Sequence, residues 1–173
     1  MNAIAMLRIA RRAALVAGLA AAAIPHAAAA TAAATFQVTA NVQTQCNVSA
    51  VDLAFGTVDP LGGNADQSTT VTVRCTKNTP YTVGLNAGTT TGATLAQRLM
   101  ANGTDTMSYN LYTDAARTIV WGNSAAAPTW VSGTGAGLGT AQVLTVYGRV
   151  PNGQTNLAVG SYSEPTITVS VTY

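Results

Sequence analysis

The residues from Thr35 to Val48, TFQVTANVQTQCNV, carry Phe36, Val38, Ala40, Val42, Cys46 and Val48 at every second position, with only Thr44 breaking the series. Alternation of period two puts those side chains on one face of an extended strand. The run from Phe36 to Val48 spans roughly 43 Å at about 3.3 Å per residue, whereas a globular strand is typically about five or six residues long. One small domain does not need a strand of that length. Two roles are therefore expected: the part around Cys46 opens the domain's own sheet, and Phe36 to Val42 projects and needs a partner.

What precedes this run sets the compartment. Arg8, Arg11 and Arg12 stand before an apolar stretch from Ala13 to Ile24, and small residues then offer a cleavage site at Ala28 to Ala30. That is the pattern of a secretory signal peptide over residues 1–30. Arg11 and Arg12 lack the flanking residues of a twin-arginine signal, so they read as an ordinary basic n-region. The apolar stretch is shorter than the roughly 20 residues a membrane-spanning helix needs, and no later segment is a better candidate. An exported chain without a transmembrane segment is expected.

Export changes the reading of charge. The full sequence carries a formal +2, but three of its eight basic residues lie in the leader. The remainder has five basic against six acidic residues, a net charge of −1. No basic patch is left to support binding to nucleic acid or an anionic membrane. His26, the single histidine, leaves with the leader.

Cys46 and Cys75 are the two cysteines. In an exported chain they read as one disulfide, closing a loop of about thirty residues worth roughly 3–4 kcal/mol in the chain-entropy model. A metal or redox pair is the weaker alternative, because the spacing is not C-x-x-C and no histidine accompanies it.

The remaining chain is read as strands and turns. A short strand ends near Val48; Phe55-Gly56 and Asp59-Pro60-Leu61-Gly62-Gly63 then mark turns. Ser68 to Cys75 alternates with Val71, Val73 and Cys75 on one face, so both cysteines sit on apolar faces, either across a sandwich or within one sheet. Pro80 to Asn86 places Tyr81, Val83 and Leu85 together. Leu95 to Met100 is the helix-like piece, too short to stand alone, and reads as a turn or loop excursion. Met107 to Tyr112 and Thr118 to Trp121 are expected to form a hairpin across Thr113–Arg117. Gly122 to Gly139 reads as a loop, Gln142 to Val150 as a strand, and Thr166 to Tyr173 as a last strand with Ile167, Val169, Val171 and Tyr173 inward. Many short strands with Gly and Pro turns predict an all-β antiparallel sandwich.

The chemistry is sparse. Without histidine, Ser-His-Asp and Cys-His catalysis are absent. A carboxylate pair could be drawn from Asp52, Asp59, Asp66, Asp105, Asp114 and Glu164, but most of these lie beside turn residues, where Asp serves the backbone. The glycines of Gly133 to Gly139 lack the strand, helix and following acidic residue of a nucleotide cradle. Trp121, Trp130 and the tyrosines could form a sugar-binding surface, although core or loop anchoring is the commoner use. No catalytic, cofactor-binding or metal residue is assigned, and no enzyme activity is expected.

Several blocks in order carry a family resemblance: ATFQVTANVQTQC, Phe55-Gly56, VTVRCTKNTPYTV, YNLYTDAART, LTVYGRVP and GSYSEPTITVSVTY. With them the chain resembles the spore coat protein U domain family, of the kind that forms archaic, Csu-type chaperone-usher pili. Glu164-Pro165 departs from the Asp or Thr expected there. The resemblance implies an incomplete immunoglobulin-like antiparallel β-sandwich lacking its last strand and completed by donor-strand complementation. It further implies a donor-strand extension at 31–43, with Phe36, Val38, Ala40 and Val42 as inserted side chains, and a pilin domain at 44–173. Ile167, Val169, Val171 and Tyr173 would form the acceptor groove and chaperone contact. Neighbouring pilin subunits, a periplasmic chaperone and an outer-membrane usher would be the partners, and the protein would reach an extracellular pilus or the cell surface. A carbohydrate- or surface-binding coat protein, or a tip adhesin, is the alternative.

Overall fold

A computed structural model describes residues 28–173; all but the last three residues of the expected leader lie outside them. Compactness divides the chain at Ala40. From 28 to 40 the backbone has no strand or helix and every residue is exposed, with Phe36 at 87% and Val38 at 81%. The second unit, Asn41–Tyr173, contains eight strands.

The alternating residues begin to pair only at the first cysteine. Strand β1 is Cys46–Ala50 and lies antiparallel to β2, Ala65–Cys75, with Cys46 opposite Cys75. The long run expected as extended from Thr35 is thus a strand only from Cys46 onward. A strand needs a ladder partner for its backbone N–H and C=O groups, and β2 ends its register at Cys75. The disulfide joins these adjacent strands within one sheet, with Cα atoms 4.1 Å apart. That settles the two placements the sequence left open.

Five strands make the larger sheet, in the order β1-β2-β7-β5-β4, with β7 at Gln142–Val150, β5 at Asp105–Tyr112 and β4 at Arg98–Asn102. Three make the smaller sheet, in the order β6-β3-β8, with β6 at Val131–Thr134, β3 at Pro80–Leu85 and β8 at Val169–Thr172. All named pairings are antiparallel. The predicted parities set the core: Val71, Val73 and Cys75 from β2, Tyr81, Val83 and Leu85 from β3, and Met107, Tyr109 and Leu111 from β5 are all buried. Val146 and Val150 of β7 complete the larger sheet's inner face.

Three expectations are corrected. Residues 98–100, read as part of a helix-like excursion, open β4, which pairs with β5 through Met100 opposite Met107. The turn is Gly103-Thr104, where Gly103 holds φ at +62°, a conformation cheap for glycine. Thr118 to Trp121 does not hairpin with β5 as a strand; it makes a single bridge, Val120 with Tyr112. The chain leaves the sheet there because the Trp121 indole enters the core and donates to the Val83 carbonyl at 2.9 Å. The stretch 122–139, read as loop, contributes β6.

Arg98 closes the sandwich away from solvent. Fully buried, it donates from Nε to the Asn86 carbonyl, from Nη1 to Asn110 Oδ1, and from Nη2 to the carbonyls of Leu85 and Trp121. A β4 side chain thereby clasps the end of β3. Burial draws its pKa down to about 10, with Tyr109 and Tyr112 opposing, so the guanidinium stays charged at neutral pH.

Candidate functional site: a groove beside the last strand

Two sheet edges leave a seam. β1 is one edge of the larger sheet, and β8 is one edge of the smaller, paired to β3 through Leu85–Val169, Gly84–Ser170, Val83–Val171 and Thr82–Thr172. The other side of β8 has no strand partner among the described residues. An unpaired edge presents backbone donors and acceptors to any extended chain laid along it.

Beside that edge lies a cavity of about 1020 Å³. Its floor is the inner face of the larger sheet and the end of β3: Val71, Val146, Met107, Tyr109, Leu111 and Leu85. One wall is the segment 50–58, the other the chain from Leu157 to Val169. Leu53 and Phe55 lie over Gly148, where an added Cβ would stand 2.4 Å from Leu53 Cδ2 and 2.9 Å from Phe55 Cζ. Phe55 also meets Tyr109 edge to face, with ring centroids 6.1 Å apart. A glycine in the middle of β7 therefore lets this wall dock against the sheet.

Of the four residues expected on the acceptor strand, Ile167 and Val169 line the cavity, and Val171 is half-buried on the same face against the core. Tyr173 follows the end of β8 and is 56% exposed, outside the apolar cluster. Thr166, Thr168, Ser170 and Thr172 are exposed. Phe36, Val38, Ala40 and Val42, expected as the inserted side chains, are exposed too, Val42 at 83%.

The strand expected to begin at Thr166 is formed as ladder only from Val169. Before that, the Asn86 side chain stands in for the partner backbone: Oδ1 accepts from Thr168 N at 2.9 Å and Nδ2 donates to the Thr166 carbonyl at 3.2 Å. Asn86 N donates to the Thr168 carbonyl. Asn86 was read merely as the end of a strand; a polar residue following Leu85 on a buried strand is the one sequence sign of this role.

The other candidates resolve into structure. Trp121 is consumed in the core. Asp59 accepts from Leu61 N, and Asp114 accepts from the backbone N–H groups of Ile119 and Thr118 and the Thr118 hydroxyl, which hold its carboxyl below the usual range. Asp66 pairs with Arg149 at 2.7 Å and Arg117 at 3.4 Å, and its pKa is lowered chiefly by the Arg149 hydrogen bond. Glu164 lies at the rim of the cavity.

Comparison with known proteins agrees with this architecture. The model of the Spore Coat Protein U domain matches residues 32–172. Protein U of Myxococcus xanthus is 36% identical over 164 residues, covering 84% of this chain and 87% of that protein. Among solved structures, the fold resembles the CsuC-CsuE chaperone-tip adhesion subunit pre-assembly complex from archaic chaperone-usher Csu pili of Acinetobacter baumannii, with a TM-score of 0.55 and 24% identity. That alignment covers 76% of this chain and spans 40% of the matched one.

Proposed function

The chain belongs to the spore coat protein U domain family, and from that premise we propose that it is a structural subunit of a chaperone-usher pilus that polymerises by donor-strand exchange. The observation that carries this reading is the cavity at the start of β8, whose outer edge has no strand partner among the described residues. The extension supplies what such a groove takes: alternating apolar side chains with no partner of their own. In this reading Phe36, Val38, Ala40 and Val42 enter the groove of a neighbouring copy, while Gln37, Thr39 and Asn41 face out. Ile167, Val169 and Val171 form the acceptor wall, Tyr173 marks its end, and a periplasmic chaperone occupies the groove until an outer-membrane usher exchanges it. The assembled polymer stands at the cell surface, where it supports adhesion and biofilm formation. A carbohydrate-binding role loses one of its aromatic faces, because the Trp121 indole is buried.

Deleting Thr31–Asn41 tests the proposal. The truncated chain, co-expressed with its chaperone, is expected to fold, keep its disulfide and accept a synthetic donor peptide, yet form no ladder of oligomers on native electrophoresis. Fibres assembled from the truncated chain would refute it.

A further inference from the structure

The two walls of the cavity are held in place by different means. On the wall from Leu157 to Val169, Ser163 and Ala101 exchange both backbone N–H···O bonds at 3.0 Å, and the Tyr162 hydroxyl donates to the Ala158 carbonyl at 3.0 Å. Glu164 accepts from Thr89 N at 3.0 Å, Thr90 N at 2.8 Å and Thr90 Oγ1 at 2.7 Å. The Asn86 side chain holds the Thr166 carbonyl and Thr168 N. This wall is therefore tied both to β4 and to the chain that follows β3.

The opposite wall lacks such ties. β1 ends at Ala50, and its last attachments to β2 are made by Val51, whose N–H donates to the Thr70 carbonyl and whose carbonyl accepts from the Thr69 hydroxyl. From Asp52 to Val58 no backbone or side-chain atom makes a hydrogen bond among the described residues; the next is the Asp59 carbonyl, which accepts from Gly62 N at 3.0 Å. Side chains alone hold the stretch: Leu53, Phe55 and Val58 are half-buried against the core, while Asp52, Ala54, Gly56 and Thr57 are exposed. Leu53 and Phe55 grip the sheet at one place, over Gly148, where the missing Cβ leaves them room. Segments with few buried contacts and no hydrogen bonds open at the least cost in free energy. Their unused N–H and C=O groups also stay available to an incoming strand.

We propose that residues 52–58 are the moving wall of the groove: they undock from Gly148 to admit the donor strand and close on it once it is seated, while the wall from Leu157 to Val169 stays fixed. The inference rests on the donor-strand reading and adds a second contact surface, across the cavity from β8, that this reading leaves unassigned. Entry then waits on the undocked fraction of the chain, so the association rate scales with that fraction. Leu53 and Phe55 set it, because their packing over Gly148 is what has to be released.

Hydrogen exchange of the wild-type mature chain, with and without a peptide of residues 31–43, reads the movement directly. The amides of 53–58 are expected to exchange without protection in the free chain, while those of Ala101 and Ser163 are protected, and the peptide is expected to slow exchange at 53–58 by about tenfold or more. Association of the fluorescent peptide is then timed for wild type, Gly148→Ala and Asp66→Asn. Gly148→Ala pushes Leu53 and Phe55 off the sheet and is expected to speed association by about fivefold. Asp66→Asn loses ion pairs on the sheet's outer face and is expected to leave the rate as it is, which separates release of the wall from a general loss of stability. Where Gly148→Ala does not fold, Phe55→Ala removes one of the two anchors and carries the same expectation. Peptide bound with 53–58 no better protected than before, or Gly148→Ala and Phe55→Ala associating no faster than wild type, overturns the moving wall alone. Wild type that takes up no peptide overturns the groove reading and the moving wall with it.

Discussion

Val169→Asp places a carboxylate on the inward face of β8. Val169 is opposite Leu85 in the ladder, packs against the core and lines the cavity. The substitution removes part of the roughly 1.5–3 kcal/mol that burying a valine contributes. It also puts a charge among Ile167, Leu85 and Val146 with no cation beside it; the group will partly neutralise by raising its pKa, but the penalty stays at about 3–5 kcal/mol. Against a total stability of about 5–15 kcal/mol, that is a large fraction. Thr168→Asp is the control one position away: its side chain is exposed, so the new charge remains hydrated and the change should be within about 0.5 kcal/mol. Urea unfolding followed by the fluorescence of buried Trp121 reads both. Val169→Asp is expected to lower the midpoint by about 2 M, given a slope near 1–3 kcal/mol per molar urea. Equal shifts at the two positions would mean that the inward face of β8 has been misassigned.

Replacing Cys46 and Cys75 together by alanine should lower stability by roughly 3–4 kcal/mol, because the bridge closes a loop with a sequence separation of 29; unreduced mass spectrometry of wild type should show two protons fewer than the reduced chain. Gly148→Ala should destabilise by about 1–3 kcal/mol through collision with Leu53 and Phe55, read as a lower thermal midpoint with near-ultraviolet dichroism altered at Phe55 and Tyr109. Glu164 has a folded pKa of about 2 against an ordinary 4.5, so its contribution is complete above about pH 4.5 and is lost as pH falls through 2. Acid unfolding of Glu164→Gln should therefore show a flatter stability profile between those values than wild type.

Strand faces were legible because burial on one side imposes period two, and β2, β3, β5 and β7 each carry three or more apolar residues in phase. Partners were harder. Met107–Tyr112 was matched to Thr118–Trp121, which meets only the end of β5, at the Tyr112–Val120 bridge, whereas Arg98–Asn102 pairs with most of its length; the spacing of Leu95, Leu99 and Met100 imitates a helix. Asn102-Gly103 marked the turn between β4 and β5, and such a pair is a strong hairpin signal. β6 has four residues, one of them glycine, and leaves no periodic trace. Arg98, Asn86 and Glu164 were missed for another reason. Each satisfies groups brought together only by tertiary structure, so local pattern does not announce a polar residue that holds carbonyls or threonines from distant strands. Glu164-Pro165 did stand out from the family pattern, and Glu164 there accepts from Thr89 and Thr90 across the chain.

The division of labour between side chains and backbone follows from the same geometry. Burying Phe36, Val38 and Val42 contributes on the order of 5–8 kcal/mol, with Ala40 adding little. Association costs an estimated 4–15 kcal/mol, so in the donor-strand reading the side chains alone roughly break even. The surplus must come from the backbone ladder along β8, at about 1 kcal/mol net for each hydrogen bond. That ladder can be only as long as the part of the acceptor edge held extended. β8 as a strand covers Val169–Thr172, four residues, because the chain turns at residues 165–166 just before it. In the donor-strand reading, donor affinity therefore depends on keeping these four residues in the ladder with β3 as well as on the apolar contacts in the groove.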